Sequence, residues 1–273
     1  MELVRATSVE QLDGGIPVHG GTEVVPLLRD GILHGDTLVD VRGIVPRGVD
    51  GGRIGAGTTL AELEADPHVP EALREACRLA ASPQLRSMSS VGGNLLQSTR
   101  CWYWRLKYPC RLHGGDRCHA REGEHREHAI FANDFCASAH PSDIAAALVA
   151  LGTRLRTSRR ELPLGELYRL PDERDRSTTT LEPGELILEL ELPPVDASVY
   201  LKAMDRRRWA FPQVGVAAAR AAGETRIALA GVAPVPWLLG GPEALDGATP
   251  LARTAWKVDV ARALVRRAVE CVS

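Results

Sequence analysis

Residues 97–139 form a long stretch with almost no periodic apolar residues, although the chain on either side has a regular pattern. Such a stretch inside a compact domain is usually functional, or is ordered by something other than an apolar core. It contains four of the six cysteines, namely Cys101, Cys110, Cys118 and Cys136. A secreted disulfide scaffold would be smaller and denser in cysteine. The cluster therefore favours a metal or iron–sulfur site.

The overall composition is typical of a globular protein. The chain has 273 residues, of which 44% are hydrophobic and 25% charged, which suits one large domain or two modest ones. A net charge of −2 gives no indication of a nucleic-acid or anionic-membrane partner. No apolar run approaches the ~18 residues of a transmembrane helix, and the N-terminus lacks the features of a secretory signal. We expect a cytoplasmic protein, unless it is exported together with a partner.

The residue pattern predicts an α+β fold in two parts. Helices are expected after a cap at Thr58 or Thr59, over 71–81, after a cap at Ser142 or Asp143, and over 255–271. Strands are expected over 186–192, 199–204, 214–220 and 226–232. The polar residues 171–180 are the best internal linker. We therefore expect one domain over 1–170, with the 97–139 insert, and a C-terminal domain over 178–273.

Three short glycine turns could bind a phosphate group: Gly20-Gly21, Gly55-Ala56-Gly57 and Gly92-Gly93. Because glycine has no Cβ, the backbone N–H groups of such turns can approach an anion closely. None of the turns is a dinucleotide fingerprint or a Walker A sequence. From the residues alone, a nucleotide site and ordinary tight turns are both open.

Several segments occur in the order found in one protein family, among them HGGTEVVPLLRDG (19–31), SVGGNLLQ (90–97), HPSDIAAALVAL (140–151), LEPGELILELELP (181–193) and YLKAMDRR (200–207). Through them the chain resembles the FAD-binding medium subunit of the xanthine dehydrogenase and molybdenum hydroxylase family along nearly its whole length. The resemblance implies a two-part FAD-binding domain of the vanillyl-alcohol oxidase-like type. A C-terminal domain with a three-stranded antiparallel sheet and helices is implied to follow it.

The resemblance also implies a function in electron transfer. Substrate would be oxidised on a molybdopterin-binding large subunit, electrons would pass through a 2Fe–2S small subunit, and FAD in this chain would deliver them to an external acceptor. The chain would be the flavoprotein subunit of an oxidoreductase complex, a heterotrimer or its dimer, with no catalytic acid, base or nucleophile of its own. Two other functions are open: a free-standing flavin oxidoreductase, and a zinc-stapled assembly subunit that has lost FAD.

Position in the family motifs assigns the FAD contacts. The resemblance places the first diphosphate loop on Val18, His19, Gly20, Gly21, Thr22, Glu23 and Val24, and the second on Ser90, Gly92, Gly93 and Asn94. It implies that Asp143 holds ribityl or ribose hydroxyls, that Ile187 lies near the flavin, and that Lys202 lies close to the isoalloxazine ring. The alternatives are that Asp143 is only a helix cap and Lys202 only a solvated strand lysine.

The cysteine stretch resembles the insert of one subgroup of the family, typified by the beta subunits of 4-hydroxybenzoyl-CoA reductase and periplasmic aldehyde oxidoreductase. That insert holds a 4Fe–4S cluster, which makes Cys101, Cys110, Cys118 and Cys136 the expected ligands and leaves out Cys77 and Cys271. Four thiolates on irregular backbone suit such a cluster, because each iron takes one cysteine. Zinc sites usually show paired C-x2–4-C knuckles, which the sequence lacks. Zinc, free or disulfide cysteines, and a histidine in place of one ligand are the alternatives.

Overall fold

Three β-sheets and nine α-helices are found in residues 1–12 and 14–273, which the computed structural model describes. The strands are β1 (Glu2–Arg5), β2 (Ile16–Val18), β3 (Thr37–Asp40), β4 (Val49–Asp50), β5 (Arg53–Gly55), β6 (Arg154–Thr157), β7 (Glu161–Pro163), β8 (Ile187–Glu191), β9 (Ala197–Ala203), β10 (Val214–Ala221), β11 (Glu224–Ala230) and β12 (Trp237–Leu239). The helices are α1 (Val24–Arg29), α2 (Leu60–Ala65), α3 (Glu71–Ala80), α4 (Pro83–Arg86), α5 (Val91–Leu95), α6 (Trp102–Arg105), α7 (His119–Glu122), α8 (Asp143–Ala150) and α9 (Trp256–Val272).

Each sheet has a simple strand order. The N-terminal sheet is parallel with the order β1-β3-β2, and the next is antiparallel with the order β4-β5-β8-β6-β7. The C-terminal sheet is antiparallel with the order β12-β11-β10-β9, and in it Lys202 lies opposite Gly215. The three antiparallel strands expected in this sheet are present as β9, β10 and β11. The short edge strand β12 makes it four-stranded.

Strand β8 belongs with the N-terminal elements although it follows the predicted linker. Ile54 of β5 lies opposite Leu190 of β8, and Leu155 of β6 lies opposite the same residue on the other side. The domain bounds stay a prediction, and the pairing of β8 favours a boundary nearer to residue 195 than to residue 178.

Helix α8 lies at the centre of the main core. All eight of its residues are buried, and it packs against α3, α5, β10 and β11. A helix that is apolar on every side needs cover on every side. It therefore joins the N-terminal elements to the C-terminal sheet, and Asp143, its first residue, carries a carboxylate into that junction.

The predicted helices at 60, 71–81 and 255–271 are confirmed. Helix α2 begins with a capping box, in which the Thr59 Oγ1 accepts from the Glu62 N–H and the Glu62 carboxylate accepts from the Thr59 N–H. Helix α9 covers the outer face of the C-terminal sheet with Ala261, Val265 and Ala268. No helix among the described residues is long and apolar enough to cross a membrane.

The cysteine insert is anchored on the C-terminal elements. The N–H groups of Ile130 and Phe131 donate to the Val232 carbonyl at 2.8 and 3.0 Å, and the Phe131 ring stacks on Trp237 with centroids 5.2 Å apart. The expectation that residues 97–139 are ordered by something other than an apolar core is therefore wrong for Ile130 and Phe131, which lie in the core under α9. A pair of apolar residues is too short a signal for a periodicity argument.

Candidate functional site

A cavity of about 360 Å³ lies between the N-terminal elements and the loop over 204–211. Five residues predicted to contact FAD line it: Thr22, Glu23, Gly93, Asn94 and Asp143. A more open groove of about 1080 Å³ is larger, but it runs past residues 67–71 and 191–198 and contains none of the predicted residues. The smaller cavity is thus the place where the two predicted diphosphate loops and the predicted aspartate meet.

The first predicted loop has free backbone donors. Gly21 has a φ of +69°, and a Cβ on Gly20 would clash with the carbonyl oxygen of Met88, so the loop depends on both glycines. In the described part of the chain, the N–H groups of Gly20, Gly21 and Thr22 have no protein acceptor. Three backbone donors in sequence form a concavity that suits an anion.

The second predicted loop is built differently from the turn that the sequence suggested. Gly92 and Gly93 lie inside α5, where the Gly92 N–H donates to the Ala56 carbonyl at 2.9 Å and the Gly93 N–H to Ser90 Oγ at 3.2 Å. The Asn94 N–H donates to the Ser90 carbonyl at 2.9 Å. These backbone donors are occupied, and Gly92 serves the close approach of α5 to Ala56.

The Asn94 side chain supplies the free hydrogen-bond donors that the backbone of the second loop lacks. Its Oδ1 accepts a 2.6 Å hydrogen bond from Ser142 Oγ, which in turn accepts from the Ala145 N–H as the cap of α8. With the oxygen fixed in this way, the amide nitrogen at the cavity wall retains its two donors.

Asp143 and Lys202 are in direct contact. The Lys202 Nζ donates to Asp143 Oδ2 at 2.9 Å, and the Tyr200 hydroxyl donates to Asp143 Oδ1. Lys202 also donates to the carbonyls of Leu79 and Ala210 at 3.0 and 2.7 Å, so its three donors are all in use. Burial raises the pKa of Asp143, and the Lys202 charge opposes that rise.

Both alternatives for this pair are wrong. The cap of α8 is Ser142 rather than Asp143, and the side chain of Lys202 is buried rather than solvated. Lys202 itself does not line the cavity, whereas Asp143 does. The ammonium therefore acts on the cavity through Asp143 and through the loop that contains Ala210.

The other predicted FAD residues lie behind the wall. This group comprises Val18, His19, Gly20, Gly21, Val24, Ser90, Gly92 and Ile187, none of which lines the cavity. Ile187 is buried in the main core. His19 is partly buried, and burial, followed by the charges of Arg42 and Arg47, lowers its pKa. The assignment of these residues as FAD contacts stays a prediction.

Among the cavity residues that sequence reasoning missed are the cationic and aromatic ones: Arg100, Arg206, Trp209 and Phe211. Trp209 has a φ of +59°, and the Arg100 guanidinium lies 5.0 Å from the centre of the Phe211 ring. The run DRRRWAF over 205–211 was the available signal, because arginines pair with phosphate groups and aromatic rings pack on planar groups.

Glu23 joins the first loop to the start of the cysteine insert. Its carboxylate forms 2.7 Å ion pairs with Arg100 and Arg105, and Glu23 Oε1 accepts from the Ser98 N–H at 3.1 Å. The Glu23 side chain is 15% exposed, so water screens these pairs only in part. This contact makes the position of the insert depend on the first loop.

The four clustered cysteines line one small cavity, together with His119 and Phe135. All of them are free thiols, and Cys77 and Cys271 lie elsewhere. Burial raises the pKa of Cys101 to about 11 and that of Cys136 to about 12, so a metal would have to displace both protons.

Two histidines lie close to the clustered cysteines. His128 Nε2 lies 3.3 Å from Cys101 Sγ, and His119 Nε2 is buried without a partner in the described part of the chain. Among the described residues, no three His, Cys, Asp or Glu side chains are arranged to hold a single metal ion. A 4Fe–4S cluster has a different requirement, since each cysteine binds its own iron. The donor set, four thiols around one space, fits that requirement.

Comparison with known proteins identifies the family. The family model described as the FAD binding domain in molybdopterin dehydrogenase matches residues 3–195. The chain belongs to this family. It is 34% identical over 261 residues to the aldehyde oxidoreductase FAD-binding subunit PaoB of Escherichia coli K12, a match that covers 88% of this chain and 81% of PaoB. The prediction of a flavoprotein subunit of a molybdopterin-dependent oxidoreductase is thereby confirmed.

Solved structures share the fold of this family member. A chain of the carbon monoxide dehydrogenase from Hydrogenophaga pseudoflava superposes with a TM-score of 0.71 at 20% identity, covering 100% of this chain and 96% of the other. A chain of quinoline 2-oxidoreductase from Pseudomonas putida 86 gives 0.68 at 16% identity, covering 100% and 96%. At these identities the likeness establishes the fold, and the FAD-binding domain of the predicted fold is confirmed.

Proposed function

We propose that this chain is the FAD- and 4Fe–4S-binding electron-transfer subunit of a molybdenum hydroxylase complex. Its partners would be a molybdopterin-binding large subunit and a 2Fe–2S small subunit. Bound FAD would accept electrons that originate at the molybdenum and pass them to an external acceptor, and the residues of this chain would hold and orient it.

The observation that carries the proposal is the adjacency of the two cavities. Arg100 lines the cavity that contains the predicted FAD residues, and Cys101, the next residue, lines the cysteine cavity. Consecutive Cα atoms are about 3.8 Å apart. A cluster held by Cys101 would therefore lie beside the cavity of about 360 Å³, called the flavin cavity from here on.

The residues on the wall have complementary tasks in holding FAD. From the wall, the Thr22 N–H and the Asn94 amide would donate to the diphosphate, and the free N–H groups of Gly20 and Gly21 adjoin Thr22 in the same loop. Asp143, fixed by Tyr200 and Lys202, would accept from a hydroxyl group of the ligand. Lys202 would act as a positioning residue, because its donors are already in use.

The four cysteines would each bind one iron as thiolates. The buried His119 Nε2 has no protein partner in the described part of the chain, and an acceptor such as a cluster sulfur would satisfy it. Cys110 and Cys136 are buried, so the group they bind would be shielded from solvent on their side.

Elemental analysis of the purified complex tests the proposal. We expect FAD, about four irons and about four acid-labile sulfides per copy of this chain, after subtraction of the 2Fe–2S content. Zinc with FAD absent would instead support the assembly subunit. Full activity of this chain alone with a small substrate would support the free-standing flavin oxidoreductase.

A further inference from the structure

His128 is fixed against Cys101 by its surroundings. The residue is 4% exposed, its Nε2 lies 3.3 Å from Cys101 Sγ, and the Trp102 ring meets the imidazole edge-on with centroids 5.4 Å apart. The Nδ1 atom is buried and has no partner in the described part of the chain. A proton on Nδ1 would therefore have no acceptor, whereas a proton on Nε2 is directed at the Cys101 sulfur.

Lys257 of α9 fixes the backbone at residues 127 and 128, and with it the position of the His128 side chain. The lysine is fully buried, and its ammonium donates to the carbonyls of Glu127, His128 and Gly231 at 3.1, 2.9 and 2.6 Å. Burial of an ammonium is unfavourable unless its donors are paired. Lys257 does not line the flavin cavity, so its hydrogen bonds to the three carbonyls stabilise the insert rather than the FAD site.

We propose that His128 donates an N–H···S hydrogen bond to the Cys101 thiolate of the cluster and raises the cluster's reduction potential, with Lys257 as the positioning residue for His128. The inference rests on the proposed function. Hydrogen bonds to cluster sulfurs are one of the factors that set the potential, because they stabilise the extra negative charge of the reduced form. The bond acts on Cys101, the ligand that directly follows Arg100 of the flavin cavity.

The test is a redox titration of the intact complex, followed by electron paramagnetic resonance at a temperature where the 4Fe–4S signal is resolved. His128→Phe keeps a ring against Trp102 and removes the donor, so we expect a more negative potential. His128→Gln, which retains an N–H donor, should restore part of the shift. Lys257→Met should shift the potential in the same direction by a smaller amount.

His113→Phe is the matched control. His113 lies in the same insert and also packs on a tryptophan, since it stacks on Trp104 with centroids 5.3 Å apart, but its Nε2 contacts the Trp104 carbonyl at 2.8 Å rather than a sulfur. We expect the parent potential in this variant. Full iron content and an unchanged potential in His128→Phe would overturn the inference.

A second measurement covers the case in which His128→Phe loses its iron. In a His119→Phe complex labelled with 15N-histidine, which lacks the other histidine at the cysteine cavity, pulsed electron paramagnetic resonance of the reduced cluster should detect a nitrogen coupling through the N–H···S bond. Lack of that coupling would overturn the inference. A parent complex without iron would instead refute the proposed function, so the two failures are distinguishable.

Discussion

The Lys202 ammonium and the Asp143 carboxylate form a 2.9 Å ion pair in which the side chains are 0% and 1% exposed. The pair joins the C-terminal sheet to the first residue of α8. Removing one partner of such a pair leaves an unpaired buried charge, which typically costs 3–5 kcal/mol, whereas removing both charges costs much less.

We expect Lys202→Met to lower the free energy of unfolding of the apo-protein by about 3 kcal/mol and to reduce bound FAD. The double variant Lys202→Met with Asp143→Asn should recover part of the stability, because no charge remains buried. Urea unfolding and flavin absorbance measure the two effects. Lys107→Met, at an exposed lysine, is the control. Equal stability of the parent and Lys202→Met would contradict the account of the pair.

Asn94→Asp tests the contribution of the Asn94 side chain to FAD binding separately from that of the backbone of the second loop. The aspartate keeps an acceptor for Ser142 Oγ, but it replaces the amide donors with a negative charge at the predicted diphosphate position. We expect FAD affinity to fall at least about tenfold, since a charge-assisted hydrogen bond is lost and a repulsion is added. Gly93→Ala is the control and should retain FAD, because its Cβ needs only a small shift of Ser90 Oγ at 3.1 Å. Isothermal titration of the apo-protein gives both affinities.

Glu23→Gln tests the link between the first loop and the insert. Loss of the charge weakens the ion pairs with Arg100 and Arg105, for which we expect about 2 kcal/mol of local stability to be lost. Hydrogen exchange over residues 98–106 should therefore become faster. Glu75→Gln breaks an exposed pair with Arg78 and should leave the exchange of that segment unchanged. Similar exchange in both variants would mean that Glu23 does not hold the insert.

The buried His140 should make the free energy of unfolding fall in acid. It is buried against the Tyr168 ring, and burial, with a smaller contribution from the Arg100 charge, lowers its pKa to about 3. The unfolded chain binds a proton at this histidine near pH 6.5, so the folded state loses stability as the pH falls from 6.5 to 3. The contribution is roughly 5 kcal/mol over that window. In His140→Phe, unfolding titrations at several pH values should show a shallower acid decline. An identical pH profile in the variant would contradict this.

The sequence could predict local elements better than the partners of individual side chains. The helices α2, α3 and α9 follow from residue type and period, and so does a cap at Thr58 or Thr59, of which the structure uses Thr59. The pairing of β8 with β5 could not be predicted, because a strand pattern carries no information about which sheet receives it.

The site shows the same limit. Family motifs pointed to Gly93, Asn94, Asp143 and Lys202, but not to the occupied N–H of Gly93 or to the contact of Lys202 with Asp143. Those facts depend on how α5, α8 and β9 pack together. The contact of His128 with Cys101 could not be predicted either, because it depends on how α9 at the far end of the chain holds the backbone at residue 128.

The cysteines give the most direct test of the iron–sulfur assignment. Cys101→Ser, Cys110→Ser, Cys118→Ser and Cys136→Ser should each lose iron and sulfide, since each would remove the ligand of one iron. Because Glu23 ties the insert to the first loop, and because the insert joins Asn94 to Asp143, these variants should also bind FAD more weakly. Damage should be greatest near Cys101, while Ile130 and Phe131 remain anchored in the C-terminal core.

The two remaining cysteines are the controls for that series. Cys77→Ala removes a fully buried thiol of α3 outside the insert, and Cys271→Ser changes an exposed one. Both should keep about four irons per chain, although the buried site should lose about 1 kcal/mol of stability because a cavity is left. Iron, sulfide, zinc and FAD should be measured on the same samples. Equal iron loss in Cys77→Ala, or zinc in place of iron in the parent, would show that the four clustered thiols do not hold a 4Fe–4S cluster.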